Sequence, residues 1–180
     1  MSWRLNPKQT GLLVIDVQER LVPAMIGAEA LVKRVADSVS VARIFGLPVF
    51  HSEQVPAKLG PTVAPVRAAL GSDALPARTK HAFSAADCFA PGELPPTLLV
   101  AGIETHVCVR QTVFDLRARG HAIYLLADAV ASRAESDHRL ALHELREIAQ
   151  ARVTTLETVA WELLGGAEGE PFKRLLALLK

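Results

Sequence analysis

The sequence predicts an α/β fold, a mostly parallel sheet of about six strands with helices on both faces, in three Rossmann-like layers. Three observations lead there. Short, near-continuous apolar runs of the kind that suit strands buried on both faces recur along the chain. Between them lie segments whose apolar residues are spaced by three and four, as in amphipathic helices. Alternation of the two requires crossover connections, and crossovers join parallel strands. The 180 residues have the length of one domain, expected to span 1–180.

The elements follow in order. Residues 12–17, Leu-Leu-Val-Ile-Asp-Val, read as a buried strand interrupted only by Asp16. In 28–45, Leu31, Val32, Val35, Val39, Ala42 and Phe45 make one helical face, and Gly46 is placed to end it. A second strand begins over 48–51. Seven of the eleven prolines fall within 53–96, so that stretch is expected to be loop with short helical pieces and one brief strand at 78–82. An ordered loop of this length usually carries function. Regular alternation resumes with a strand at 97–101, a helix at 105–119 ended by Gly120, and a strand at 122–126. A helix over 136–150 is expected to turn Leu140, Leu142, Leu145 and Ile148 to the core. A short strand at 153–155 and helices over 159–164 and 172–179 complete the chain.

Composition narrows the function. Half the residues are hydrophobic, and 20 basic against 19 acidic residues leave a net charge of +1 with no block of like charge. That balance gives no footprint for nucleic acid or anionic membrane, and fits a small, roughly neutral ligand. Residues 1–10 contain no apolar run resembling a secretion signal, and no stretch approaches the ~20 residues that span a bilayer. A cytoplasmic protein is expected. Two cysteines, Cys88 and Cys108, are too few for a disulfide framework and too far apart for a Cys-x-x-Cys metal site. Neither nucleotide-binding glycine motif is present, and no cofactor is expected. The apolar terminal helices and a mean hydropathy of +0.24 point to a homo-oligomer.

Parallel α/β folds bind ligands beyond the carboxyl ends of their strands, near a switch in strand order. The segments there are 16–18, 51–54, 79–81, 102–108 and 128–132. Asp16 ends an apolar strand, where it serves either as a cap for the next turn or as a carboxylate held in a low-dielectric site. Cys108 lies at a strand-to-helix junction. There it is either a small core residue or a nucleophile whose thiol the helix N-terminus would lower in pKa. Gly102 would let the backbone approach a substrate closely. Lys80, one of six lysines against fourteen arginines, is either solvated or stabilises a thiolate and a carboxylate.

The runs L-L-V-I-D-V-Q at 12–18, T-K-H-A-F-S at 79–84 and G-I-E-T-H-V-C-V at 102–109, followed by D-A-V-A-S-R at 128–133, resemble the isochorismatase-like cysteine hydrolases, to which nicotinamidases and carbamoylsarcosine-type amidohydrolases belong. The resemblance implies a catalytic triad of Asp16, Lys80 and Cys108. It further implies a cis peptide joining Ile103 to Glu104, and an oxyanion hole made by the backbone N–H groups of Glu104 and Cys108. Nicotinamidases carry a metal site after the second strand, but here His51 and Glu53 alone are short of ligands. The E-Q-x-P-x-x-L-G pattern at 53–60 resembles the metal-free, isochorismatase domain-containing branch. The implied activity is metal-independent hydrolysis of a small molecule at an amide or related C–N bond, through a thioester on Cys108. Gln18, Glu53, Gln54, Phe83, Thr105 and His106 are pocket candidates by position, although the Phe83 ring is of a kind usually found in the core. Two other readings stay open: a non-catalytic small-molecule-binding module of the same fold, and a thiol-redox protein using Cys108 with Cys88 as resolving thiol.

Overall fold

All six residues of β1 (Thr10–Ile15) are buried, as a run with no polar face demands. Five further strands are β2 (Val49–Gln54), β3 (Arg78–Lys80), β4 (Thr97–Ile103), β5 (Ala122–Ala131) and β6 (Arg152–Thr154). In the computed structural model, which describes residues 4–180, they form one sheet in the order β3-β2-β1-β4-β5-β6, with every neighbouring pair parallel. Residues 1–3, part of the segment read above for a secretion signal, lie outside the described residues. The chain winds outward from β1 to one edge and then from β4 to the other. The switch in strand order therefore falls between β1 and β4.

Side chains alternate across the sheet and feed two cores. On one face Leu12, Val14, Leu99, Ala101 and Leu126 meet α1 (Ala28–Ile44), α3 (Ala64–Leu70), α6 (Leu156–Leu164) and α7 (Gly169–Leu179). On the other, Leu13, Ile15, Leu98, Val100 and Leu125 meet α4 (Arg110–Ala118) and α5 (Glu135–Glu147). One-turn α2 (Pro56–Leu59), α3 and a 3-10 turn (Ala86–Cys88) supply the helical pieces expected in the proline-rich stretch. Among the described residues no helix is long and apolar enough to cross a membrane.

Several elements depart from the sequence reading. Strand β5 runs five residues past its expected end, through a register shift against β4 between Val100 and Gly102. The helix expected from 105 opens with a π turn, Thr105–Val109, before α4. Leu140 and Ile148 are 62% and 66% exposed, not turned to the core. Helix α5 buries Ala141 and Leu145, which puts Leu140 on the adjacent, outward face, and it ends at Glu147, before Ile148.

Gly102 does not make room for a ligand; it makes room for β1. A Cβ built there would lie 2.1 Å from the Ile15 carbonyl oxygen, and its φ of 125° is one that side chains rarely adopt. The two innermost strands close only over a bare Cα. Gly102→Ala is therefore expected to cost about 3 kcal/mol or more, from combined overpacking and backbone strain. Urea denaturation compared with wild type measures it, and a loss below about 1 kcal/mol would mean that the strands can part without harm.

Candidate active site

The main chain turns sharply at the end of β1. Asp16 has a left-handed φ of 53°, its N–H still donates to the Ser52 carbonyl (3.1 Å), and its own carbonyl accepts from Gln18 N–H (2.8 Å). In an unbroken parallel ladder that carbonyl would have accepted from Gln54 N–H. Gln18 repairs the loss with its side chain. Its Oε1 accepts from Gln54 N–H (2.7 Å), while its Nε2 donates to the Gln54 carbonyl (3.0 Å) and the Gly60 carbonyl (2.7 Å). A side-chain amide thus stands in for a peptide group and keeps β1 joined to β2 while the backbone of Asp16 turns away.

The turn frees the Asp16 carboxylate to lie over the strand ends, fully buried. Ser52 Oγ donates to Oδ1 at 2.8 Å, and Lys80 Nζ lies 2.6 Å from Oδ2. The Lys80 side chain is 2% exposed and reaches inward from the end of β3. It also donates to Gln54 Oε1 (2.6 Å) and the Phe83 carbonyl (2.8 Å), with the Ala82 carbonyl at 3.3 Å. The ammonium group is thus held by three neutral oxygens and paired in charge with Asp16 Oδ2, which has no hydrogen-bond partner of its own. Gln54 is held in turn, since its Nε2 donates to the His81 carbonyl at 2.7 Å.

Cys108 comes from the far side of the switch. The Ile103–Glu104 peptide is cis, and the π turn follows it, with Val109 N–H donating five residues back to the Glu104 carbonyl (3.2 Å). Wide turns of this kind are frequent at functional sites. Thr112 Oγ1 donates to the Cys108 carbonyl (2.7 Å) and accepts from Ala85 N–H (2.9 Å), tying the turn to the loop after β3. The buried thiol lies within electrostatic reach of both the Asp16 carboxylate and the Lys80 ammonium. Burial first, and Asp16 second, push it up to about 12, against the opposite pull of Lys80. This corrects the expectation of a helix-lowered thiol. At neutral pH Cys108 is therefore a protonated thiol beside a carboxylate.

The remaining candidates fall elsewhere. The Gln18 and Gln54 amides are spent inside the chain, as described. Glu53 lies on the other face of β2, where its Oε1 accepts from the Thr62 N–H and hydroxyl (2.7 and 2.8 Å). His51 shares that face; burial keeps its imidazole below the usual value despite Glu53, and its Nδ1 has no hydrogen-bond partner. Among the described residues no three His, Cys, Asp or Glu side chains cluster as metal ligands. Phe83 is 54% exposed, not in the core, because its main chain is what faces inward, onto Lys80. Thr105 Oγ1 pairs with His138 Nδ1 (3.0 Å), and His106 Nδ1 with Ser132 Oγ (2.9 Å). Burial pushes the Glu104 carboxyl up, but its contacts with the Arg133 guanidinium and N–H outweigh that and hold it low. Ser52, Thr112 and Arg133 were missed from sequence. Only Ser52 carried a signal, as a hydroxyl at the mouth of a buried strand.

A parallel α/β sheet with a buried carboxylate, ammonium and thiol gathered at its switch point defines the class of protein to which this chain is to be compared. A family model described as the isochorismatase domain matches residues 10–158. The chain is 33% identical to isochorismatase domain-containing protein 2 of Danio rerio, over 98% of this chain and 89% of that protein. Among solved structures it is similar to the MAR1 ribonuclease of Caenorhabditis elegans, with 31% identity, 98% and 92% coverage and a TM-score of 0.90. It shares its fold with Escherichia coli YcaC, an octameric hydrolase of unknown specificity, at 23% identity, 99% and 90% coverage and a TM-score of 0.89. The chain belongs to the isochorismatase family.

Two outcomes follow from the electrostatics. Iodoacetamide labelling of Cys108, read by mass spectrometry, is expected to be slow at neutral pH and to rise steeply into the alkaline range. Asp16→Asn removes a charge that raises the thiol and should speed labelling about tenfold or more, whereas Lys80→Met should slow it. Equal rates in all three proteins would mean that the groups do not interact. Gln54→Met keeps the volume but removes the acceptor on Lys80. It is expected to move the labelling profile toward that of Lys80→Met, and an unchanged profile would show that Lys80 needs no such support.

Proposed function

We propose that the chain is a metal-independent cysteine hydrolase that cleaves an amide or related C–N bond of a small molecule through a thioester on Cys108. The observation that carries this reading is the thiol set against the buried Asp16–Lys80 pair. In the reaction, Asp16 accepts the thiol proton as sulfur attacks the carbonyl carbon. Lys80 offsets the negative charge that gathers on sulfur and on the carboxylate. The oxyanion is received by the Glu104 and Cys108 N–H groups. As the intermediate collapses the C–N bond breaks, and the amine leaves with the proton from Asp16. Asp16 then takes a proton from water, whose oxygen attacks the thioester. The acid departs, and the proton returns to sulfur.

The similarity to a protein named as a ribonuclease raises a second reading. Charge favours the first. Arg133 and Arg110 are paired with Glu104 and Glu144, and Lys80 is buried against Asp16, so few free cations surround the site to hold a phosphodiester chain. We also read the chain as a homo-oligomer, since Ile26, Phe83, Leu140 and Ile148 leave apolar surface exposed and the related YcaC is octameric. Two free cysteines fit a reducing cytoplasm.

The test is a panel of simple amides and esters, with intact-mass detection of an acyl group on Cys108. Turnover is expected to fall at least ~10³-fold in Asp16→Asn, Lys80→Met and Cys108→Ala. Saturable ligand binding without any acyl adduct would favour the binding module. Peroxide consumption that needs Cys88 would favour the redox protein, and Cys108-dependent cleavage of an oligoribonucleotide would favour the nuclease.

A further inference from the structure

Three consecutive residues that lead from β4 into the π turn, Glu104, Thr105 and His106, are each held by a side chain from one short stretch after β5. The Arg133 guanidinium donates to the Glu104 carboxylate from Nη2 (2.6 Å to Oε1) and Nε (3.1 Å to Oε2), and Arg133 N–H donates to Oε2 at 3.1 Å. Thr105 pairs with His138, and His106 with Ser132, as described above. Ser132 is fixed in turn, since its carbonyl accepts from Ile26 N–H (3.2 Å). Of these holds the one on Glu104 is a bidentate ion pair, the strongest kind of side-chain contact.

Glu104 is thereby fixed from two directions. Its carbonyl accepts from the N–H groups of Val107 (3.0 Å) and Val109 (3.2 Å), inside the turn that carries Cys108. Its carboxylate is held from outside that turn, by a residue that follows β5. Contacts within the turn alone would leave it free to shift as a body, whereas Arg133 ties it to a second element. The Glu104 side chain is 8% exposed and that of Arg133 65%, so a buried carboxylate is met by a guanidinium at the surface. Burial pushes the Glu104 carboxyl up, but Arg133 outweighs it and keeps the pair ionised at neutral pH.

We propose that Arg133 is a positioning residue for the oxyanion, anchoring Glu104 by its carboxylate so that the N–H of Glu104 stays where the carbonyl oxygen takes up charge. The inference rests on the hydrolase reading above, in which the Glu104 and Cys108 N–H groups receive that oxygen. Donors of this kind are effective because they are fixed before the charge arrives, and a donor free to drift loses most of its effect. Arg133 acts through Glu104 and takes part in no proton transfer. A lysine would bring the charge without the planar fork, and so would hold the carboxylate less firmly.

Two reactions of Cys108 in the full chain, followed at one pH by mass spectrometry, separate this role from a structural one. With p-nitrophenyl acetate, sulfur bonds to the carbonyl carbon, charge passes through the oxygen, and p-nitrophenolate leaves. With iodoacetamide, sulfur displaces iodide from a CH2 group and no oxyanion forms. Arg133→Met is expected to slow acylation about tenfold or more while alkylation stays within about twofold of wild type. Arg133→Lys should fall between the two. Glu104→Gln leaves no unpaired carboxylate in the interior, so it keeps the test readable if Arg133→Met fails to fold, and it should slow acylation selectively as well. Acylation at the wild-type rate in these variants, or a parallel fall of both reactions, overturns the proposal. A wild-type Cys108 that is alkylated but never acylated would instead overturn the hydrolase reading, and the role of Arg133 with it.

Discussion

A carboxylate and an ammonium group 2.6 Å apart, almost wholly shut off from water, govern the architecture of this molecule's upper face. Either charge alone in that position would be costly, by about 3–5 kcal/mol when its partner is removed. The pair is tolerable because neutral groups around it supply further hydrogen bonds. Ser52 completes Asp16; Gln54 and the Phe83 carbonyl complete Lys80. Gln18 and the His81 carbonyl hold Gln54 in its place. Three strands and the loop after β3 are thereby committed to one ion pair.

That commitment explains why the thiol comes from elsewhere. Cys108 is delivered across the strand-order switch by a turn anchored through Glu104 and through Thr112, which joins it to the same loop after β3 that helps to hold Lys80. The two halves of the sheet meet at β1 and β4, where Gly102 allows contact closer than any side chain would permit. The meeting of the three groups depends on that closeness, since the carboxylate and the ammonium are carried by one half and the thiol by the other.

Much of this was legible in the sequence. The apolar runs and helical spacing predicted the parallel sheet, and the three ordered motifs singled out Asp16, Lys80 and Cys108. What could not be read was how polar groups would be shared. Gln18, Glu53 and Gln54 sit at strand ends, where residues that meet ligands and residues that mend a broken ladder look alike. Leu140 failed for a geometric reason: a helix face is set to within about 100° per residue, and counting apolar positions cannot say which neighbouring row meets the sheet. The thiol's direction of shift was misjudged because burial and a nearby carboxylate, neither visible in a string of letters, outweigh the pull of Lys80.

The wide turn at Thr105–Val109 sets a limit on how this chain can change. It contains one residue more than an α-turn would need. Removing any one would restore ordinary pitch and rotate what lies before it by about 100° relative to α4. Substitutions there alter one contact, but a change in length would re-aim the whole junction. Insertions and deletions should therefore be absorbed in the proline-rich loops, while this segment keeps its count.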